Sequence, residues 1–223
     1  MPVLKQALTL MAIVGMSWGI FTAPVAGKSD SPPLPAAPDL VQQVVQSFDA
    51  LTDYRCQMHS SRLRKDGTMA VDTNNYFFKK PKLIRLEVTS GGDKGSKVVL
   101  NKKGKVRAKA GGVLGVFTIT MEPTDKRLQD GDSSFVTTDL GSTLKDLQLT
   151  MTGAKATVTL IESPRRAYQL LLERPGKKDT ILIDAELKLP LQWEVFRNGK
   201  FDSKTEWKNL TKDVGLADEL FEL

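Results

Sequence analysis

From Tyr54 to the C-terminus the apolar residues recur with a period of two, and short Gly-containing turns punctuate the runs. In YRCQMHSSRLR, Tyr54, Cys56 and Met58 share one side while Arg55, Gln57 and His59 share the other, which is the pattern of a strand with one dry and one wet face. Asp66-Gly67, the NKKG at 101–104 and the RNGK at 197–200 are hairpin signals, because residues that tolerate a positive φ let a short turn match the strand twist. Later strands are expected over residues 156–162, 166–174, 180–185, 191–197 and 200–210, with RPGKKD as the turn between the second and third. A long antiparallel meander follows from this spacing.

Two helical stretches interrupt the alternation. PDLVQQVVQSFDALTDY places Leu40, Val41, Val44, Val45, Phe48 and Leu51 on one face at helical spacing, with Asp39 available as N-cap after Pro38. TTDLGSTLKDLQL reads as a short helix capped by Thr138 or Asp139. The fold class is therefore mainly β (α+β), with an N-terminal helix and a helical insertion. A sheet with a dry face needs a cover, and two short helices are a small one. Either the sheet closes into a barrel, or it curls around its helices and leaves an apolar hollow.

The N-terminus has one positive charge at Lys5, an apolar run from Ala7 to Ala23, and small residues at Val25, Ala26 and Gly27. That is the layout of a secretory signal peptide over residues 1–27; retention of the segment as an anchor is the alternative. Residues 28–38, rich in Pro, Ala and Ser, read as a flexible leader before one folded domain over 39–223. The protein is thus expected to be exported, to the periplasm or the envelope. Its only cysteine is Cys56, so no internal disulfide forms and hydrophobic burial must hold the domain together.

Catalytic chemistry has little to stand on. The one histidine, His59, lies on the outer side of a strand beside Ser60 and Ser61, without a G-x-S-x-G elbow. One His and one Cys cannot build a zinc site of the usual composition. Asp130 and Asp132 in QDGDSS have a calcium-loop spacing but lack the closing Glu, so they read as a turn. Cys56 alternates inward and reads as a small core residue. No enzyme, metal or other cofactor is expected.

The stretch YFFKKPKLIRLEV, residues 76–88, joins an aromatic strand to a second apolar strand through Lys79, Lys80 and Pro81. This pattern resembles one found early in LolA-like proteins, the periplasmic lipoprotein carriers and their relatives, among them the LolB receptor and the RseB stress sensor. The order of elements agrees, and ILIDAELKLPLQWEVFRNGKFDSKTEWKNLTKDVGLADELFEL resembles their closing pattern of Leu-Pro, strand, Asn-Gly turn, strand and terminal LADELFEL. The resemblance covers the mature domain through short motifs, which speak for fold more than for activity.

The resemblance implies a curved, antiparallel, unclosed half-barrel whose concave apolar face holds acyl chains, with the helices as plug or lid. Pro81 would then end one strand at the rim with the lysines in water. Tyr54, Met58, Phe78, Ile84, Leu86 and Trp193 would line the hollow, or would instead pack on the helices as a closed core. Lol carriers have an arginine before this proline that latches the lid through lid backbone. Lys80 holds that position here, without the planar five-donor fork, and is the candidate latch. Leu86 replaces an aromatic often found after the corner, and residues 110–149 resemble a separate branch of exported LolA-like proteins rather than a standard carrier.

The chain carries 32 Lys and Arg against 26 Asp and Glu, and residues 79–109 alone hold eleven Lys or Arg against Glu87 and Asp93. In KGKVRAKA, Lys103, Lys105, Arg107 and Lys109 alternate with Val106, Ala108 and Ala110, giving one basic strand face. This reads as a solvated face that guards an edge strand, or as a docking surface for an anionic membrane or an acidic protein partner. Nucleic acid is not expected, because export removes the chain from it and no aromatic is interleaved with these charges. The reading is a monomeric, non-catalytic protein that binds a lipid, acyl chain or acylated protein. An RseB-like sensory or interaction module is the alternative.

Overall fold

The alternation from Tyr54 onward becomes one antiparallel sheet of eleven strands in a computed structural model that describes residues 33–112, 117–130 and 133–223. The expected signal peptide, and residues 28–32 of the leader, lie outside the described residues. Residues Leu34–Leu223 make one compact unit that contains both core clusters.

The unit opens with α1 (Ala37–Ala50), which starts earlier than the sequence pattern indicates. Ala36, not Asp39, is the N-cap, and Pro38 sits in the first turn, where its fixed φ and missing N–H cost nothing. Asp39 falls in that turn and faces the positive end of the helix dipole. Six strands follow: β1 (Asp53–Leu63), β2 (Met69–Lys79), β3 (Leu83–Ser90), β4 (Lys97–Leu100), β5 (Val106–Lys109) and β6 (Thr118–Met121). β7 (Gln129–Asp130) and β8 (Ser133–Ser134) pair only with each other and precede α2 (Leu140–Met151), whose N-cap Asp139 accepts from the Ser142 amide. The second meander comprises β9 (Lys155–Ile161), β10 (Ala167–Arg174), β11 (Lys177–Asp184), β12 (Pro190–Arg197) and β13 (Lys200–Lys212).

β13 returns to pair with β1, giving the order β6-β5-β4-β3-β2-β1-β13-β12-β11-β10-β9. β6 and β9 are therefore edges and the sheet is an unclosed half-barrel. The turns obey local chemistry. Asn198 and Gly199 have φ of 49° and 75°, the both-positive pair that a two-residue hairpin favours. Asn101 accepts from the amides of Lys103 and Lys105 at 3.1 and 3.2 Å, and Asp66 accepts from the Thr68 amide at 2.9 Å. The RPGKKD turn is tighter than expected, since β10 runs to Arg174 and β11 begins at Lys177.

Both helices lie on the apolar side of the sheet. Leu40, Val41 and Val44 of α1 and Leu144 and Leu147 of α2 pack on Leu170, Leu172, Ile181 and Ile183. Leu140 of α2 joins a second cluster built on β1 to β6 and β13. Each such fully buried aliphatic side chain contributes about 1.5–3 kcal/mol.

Candidate functional site

All six residues expected around a hollow fall on one face. Tyr54, Met58, Phe78 and Ile84 are buried, while Leu86 and Trp193 are half-buried against the same cluster. The Phe78 ring lies 5.1 Å from that of Tyr54 and 5.8 Å from that of Phe48 on α1, so the helix enters the aromatic layer directly. A Cβ on Gly141 would sit 2.7 Å from the Phe48 ring, so the start of α2 reaches α1 because position 141 carries no side chain. Trp193 belongs to both clusters and donates its Nε1–H to Oδ1 of Asp179 at 2.9 Å. Asp179 is a fully buried carboxylate that also accepts from Arg174 at 3.0 Å. The apolar face is thus covered by α1 and α2.

Polar contacts fasten both helices at one rim. The Lys80 ammonium donates to the carbonyls of Phe48 (3.0 Å) and Asp49 (2.6 Å) in the last turn of α1, and it lies 5.1 Å from the centre of the Phe48 ring. A cation there meets both the orphan carbonyls and the negative end of the helix dipole. The start of α2 is held by two phenols. Tyr54 Oη accepts from the Leu140 amide at 3.0 Å in a buried contact, and Tyr76 Oη lies 3.2 Å from Thr138 Oγ1. Thr138 already donates its hydroxyl proton to Phe135 O at 2.7 Å, so Tyr76 is the donor in that pair. Burial pushes both phenols well above their usual range, which keeps them protonated. Lys82 adds an ion pair to Asp139 at 3.7 Å. The contacts of Tyr76, Thr138 and Asp139 at this rim were not anticipated. The available signal was tyrosine rather than phenylalanine at inward positions 54 and 76, since a buried phenol needs a partner.

The lysines of the corner are not simply in water. Lys79 donates to Leu216 O at 2.6 Å and pairs with Asp218 at 2.7 Å, fixing the C-terminal segment. Arg85 donates to Leu220 O at 2.7 Å, and Asp53 accepts from the amides of Val214 and Leu216 at 2.8 and 2.9 Å. The terminal 3-10 turn (Asp218–Phe221) seats against β3 with Phe221 fully buried. LADELFEL is therefore a strap over the outer face of the first meander.

The remaining sequence candidates are placed as follows. His59 Nδ1 lies 3.4 Å from Thr73 Oγ1, and its buried Nε2 has no hydrogen-bond partner. Cys56 is buried, and desolvation pushes its thiol up to about 12. Asp132 lies outside the described residues, and among those described no group of three His, Cys, Asp or Glu could hold a metal. The basic stripe is divided: Lys103 and Lys105 belong to the turn before β5, not to the strand. Lys105 pairs with Glu122 and Arg107 with Glu222, while Val106 and Ala108 face the core as expected.

No family model matches this chain, and no curated protein matches its sequence. Solved structures do match in fold. An uncharacterized conserved protein of Thermus thermophilus superposes at a TM-score of 0.54 with 11% identity, covering 85% of this chain and 94% of that one. MucB in the MucA/MucB complex of Pseudomonas aeruginosa gives 0.51 with 12% identity over 83% of this chain, and MucB alone gives 0.50 with 13% over 84%. The chain has a LolA-like fold. It spans 60% and 62% of the two MucB chains. The MucA/MucB complex shows that a protein of this fold can bind a partner protein. Among the described residues no helix is long and apolar enough to cross a membrane.

Proposed function

We propose that the protein is an exported, non-catalytic LolA-like binding module whose helices α1 and α2 are a displaceable cover over an apolar acyl-chain site. The observation that carries this reading is where the cover is fastened. The helices bury apolar side chains on the sheet, yet their polar attachments, Lys80 to the end of α1 and Tyr54 and Tyr76 to the start of α2, gather at the Pro81 rim. Release at that rim would expose Tyr54, Met58, Phe78, Ile84, Leu86 and Trp193 as one apolar surface, into which a lipid or the acyl chain of a lipoprotein fits without any charged partner.

The placement of the two candidate reactive side chains supports a binding role. Cys56 is desolvated, and His59 sits on the opposite side of β1. A sensory module is the second reading, favoured by the MucA/MucB complex among the structural neighbours. Mass spectrometry of organic extracts from the protein purified from its own host tests both. Co-purifying lipid or acylated peptide supports the binding site, and a stoichiometric protein partner in addition supports the sensor. An extract free of acyl chains from a protein that also fails to take up added fatty acid would refute the reading.

A further inference from the structure

The register of the sheet sorts its turns into two ends. The pairs Leu63–Met69, Glu87–Lys97, Lys109–Thr118, Arg174–Lys177 and Arg197–Lys200 each flank a turn. The cross-strand partners Thr73–Ser90, Lys97–Lys109, Arg62–Ser203 and Lys177–Arg197 set these five turns at the same end of their strands. The Pro81 corner and the turn at 101–105 lie at the other end, with the anchors of the C-terminal strap.

Both ends mix paired and unpaired cations. Toward the corner Lys79 and Lys102 pair with Asp218, Lys105 with Glu122 and Arg165 with Asp184, while Lys103 and Lys212 are exposed without an ion pair among the described residues. Near the five turns Lys97 pairs with Glu87 and Arg197 with Asp202. At the five-turn end Lys65, Lys94, Lys109, Lys178 and Lys200 are exposed and make no ion pair among the described residues. Exposed apolar side chains accompany them there: Leu63 (38% exposed), Met69 (45%), Val71 (60%) and Phe117 (75%). Residues 69–72 of β2 have no ladder partner in β3, so this hairpin projects past its neighbour. Between the turns at 175–176 and 198–199 lies an open groove of about 470 Å³ lined by Glu173, Arg174, Lys177, Lys178 and Phe196. Arg174 and Lys177 are already paired with the buried Asp179, which leaves Lys178 as the unpaired cation of the groove.

Single exposed lysines or valines mean nothing on a surface. Separate strand tips that each present cations, with apolar side chains among them, fit a broad anionic surface with an apolar layer beneath it. We infer that the five-turn end docks on a bilayer containing anionic phospholipid. Leu63, Met69, Val71 and Phe117 enter the acyl boundary and the five lysines, Lys178 at the groove among them, meet headgroup phosphates. This inference does not rest on what the interior binds.

The test uses residues 28–223, which contain the whole compact unit and omit the apolar N-terminal run, whose own membrane affinity would confuse the result. The protein should sediment with phosphatidylglycerol-containing vesicles, be released as salt rises, and ignore pure phosphatidylcholine. Replacing the five lysines with Gln should weaken binding about a hundredfold or more, and Met69→Ser with Val71→Ser and Phe117→Ser about tenfold or more. Lys103→Gln with Lys105→Gln, at the other end, should change little. A Val71→Cys variant carrying an environment-sensitive dye should shift to the blue on anionic vesicles, since buried Cys56 stays unlabelled. Equal vesicle binding by the five-lysine variant and the wild type, or no blue shift, would overturn the inference. So would retention only on vesicles that carry an added membrane-protein fraction, which would assign this end to a protein partner. Fatty-acid uptake by the five-lysine variant should be unchanged, so failure here and failure of the interior site are read separately.

Discussion

The ammonium of Lys80 donates to the backbone carbonyl of Asp49 at 2.6 Å, tying the strand corner to the last turn of α1. With the second bond to Phe48 O and the contact over the Phe48 ring, this one side chain closes the C-terminus of the helix. Lys80→Met should therefore destabilise the domain by roughly 1–2 kcal/mol in urea unfolding, a figure reduced for partial exposure, and speed amide exchange in α1. Lys80→Arg should retain most of the stability. Unchanged exchange in α1 of Lys80→Met would deny the latch.

The two phenols at the start of α2 should not be equivalent. Tyr54→Phe leaves the buried Leu140 N–H without an acceptor and should cost about 1–3 kcal/mol. Tyr76→Phe should cost less, because Thr138 keeps its bond to Phe135 O. Thermal or denaturant unfolding of the two variants checks the order.

The strand framework was legible because its signals are local. Tyr54 to Met58 alternate, Asn198-Gly199 demands a tight turn, and Asp139, one of the two caps the sequence offers, caps α2. The start of α1 was misplaced because Pro38 reads equally as leader or first turn. β6 was missed because TITM is too short to show a period, and β7 and β8 have two residues each. The family resemblance singled out Lys80, but its bonds to the carbonyls of Phe48 and Asp49 were not legible in the sequence. The strap was invisible: Arg85 and Leu220 are 135 residues apart, and nothing in either segment names the other.

Acid should loosen the strap first. The Lys102 and Lys79 ammonium groups hold the Asp218 carboxyl below its ordinary value, and the Thr52 amide does the same for Asp213. A carboxyl depressed in the folded state binds its proton more readily in the unfolded one. Its stabilisation is thus complete above about pH 4 and lost as pH falls through the folded value. Exchange of the Val214 and Leu216 amides should rise in that window before α1 does, and Asp213→Asn with Asp218→Asn should show the loosening at neutral pH. Simultaneous loss across the domain would contradict this order.

Cys56 should be inert while α1 and α2 cover it. Its thiol is buried and pushed up to about 12, so a thiol reagent at pH 8 should label it only as fast as the cover opens or the chain unfolds. Rapid labelling under native conditions would place Cys56 at an opening surface rather than in the core.

If the face under α1 and α2 accepts an acyl chain, titration of residues 28–223 with a fluorescent fatty acid should show saturable binding at micromolar or better affinity. Leu86→Glu, folded by circular dichroism, should bind at least tenfold more weakly, about 1.4 kcal/mol. No binding by the folded wild type, or equal binding by Leu86→Glu, would contradict an acyl-chain site at this face.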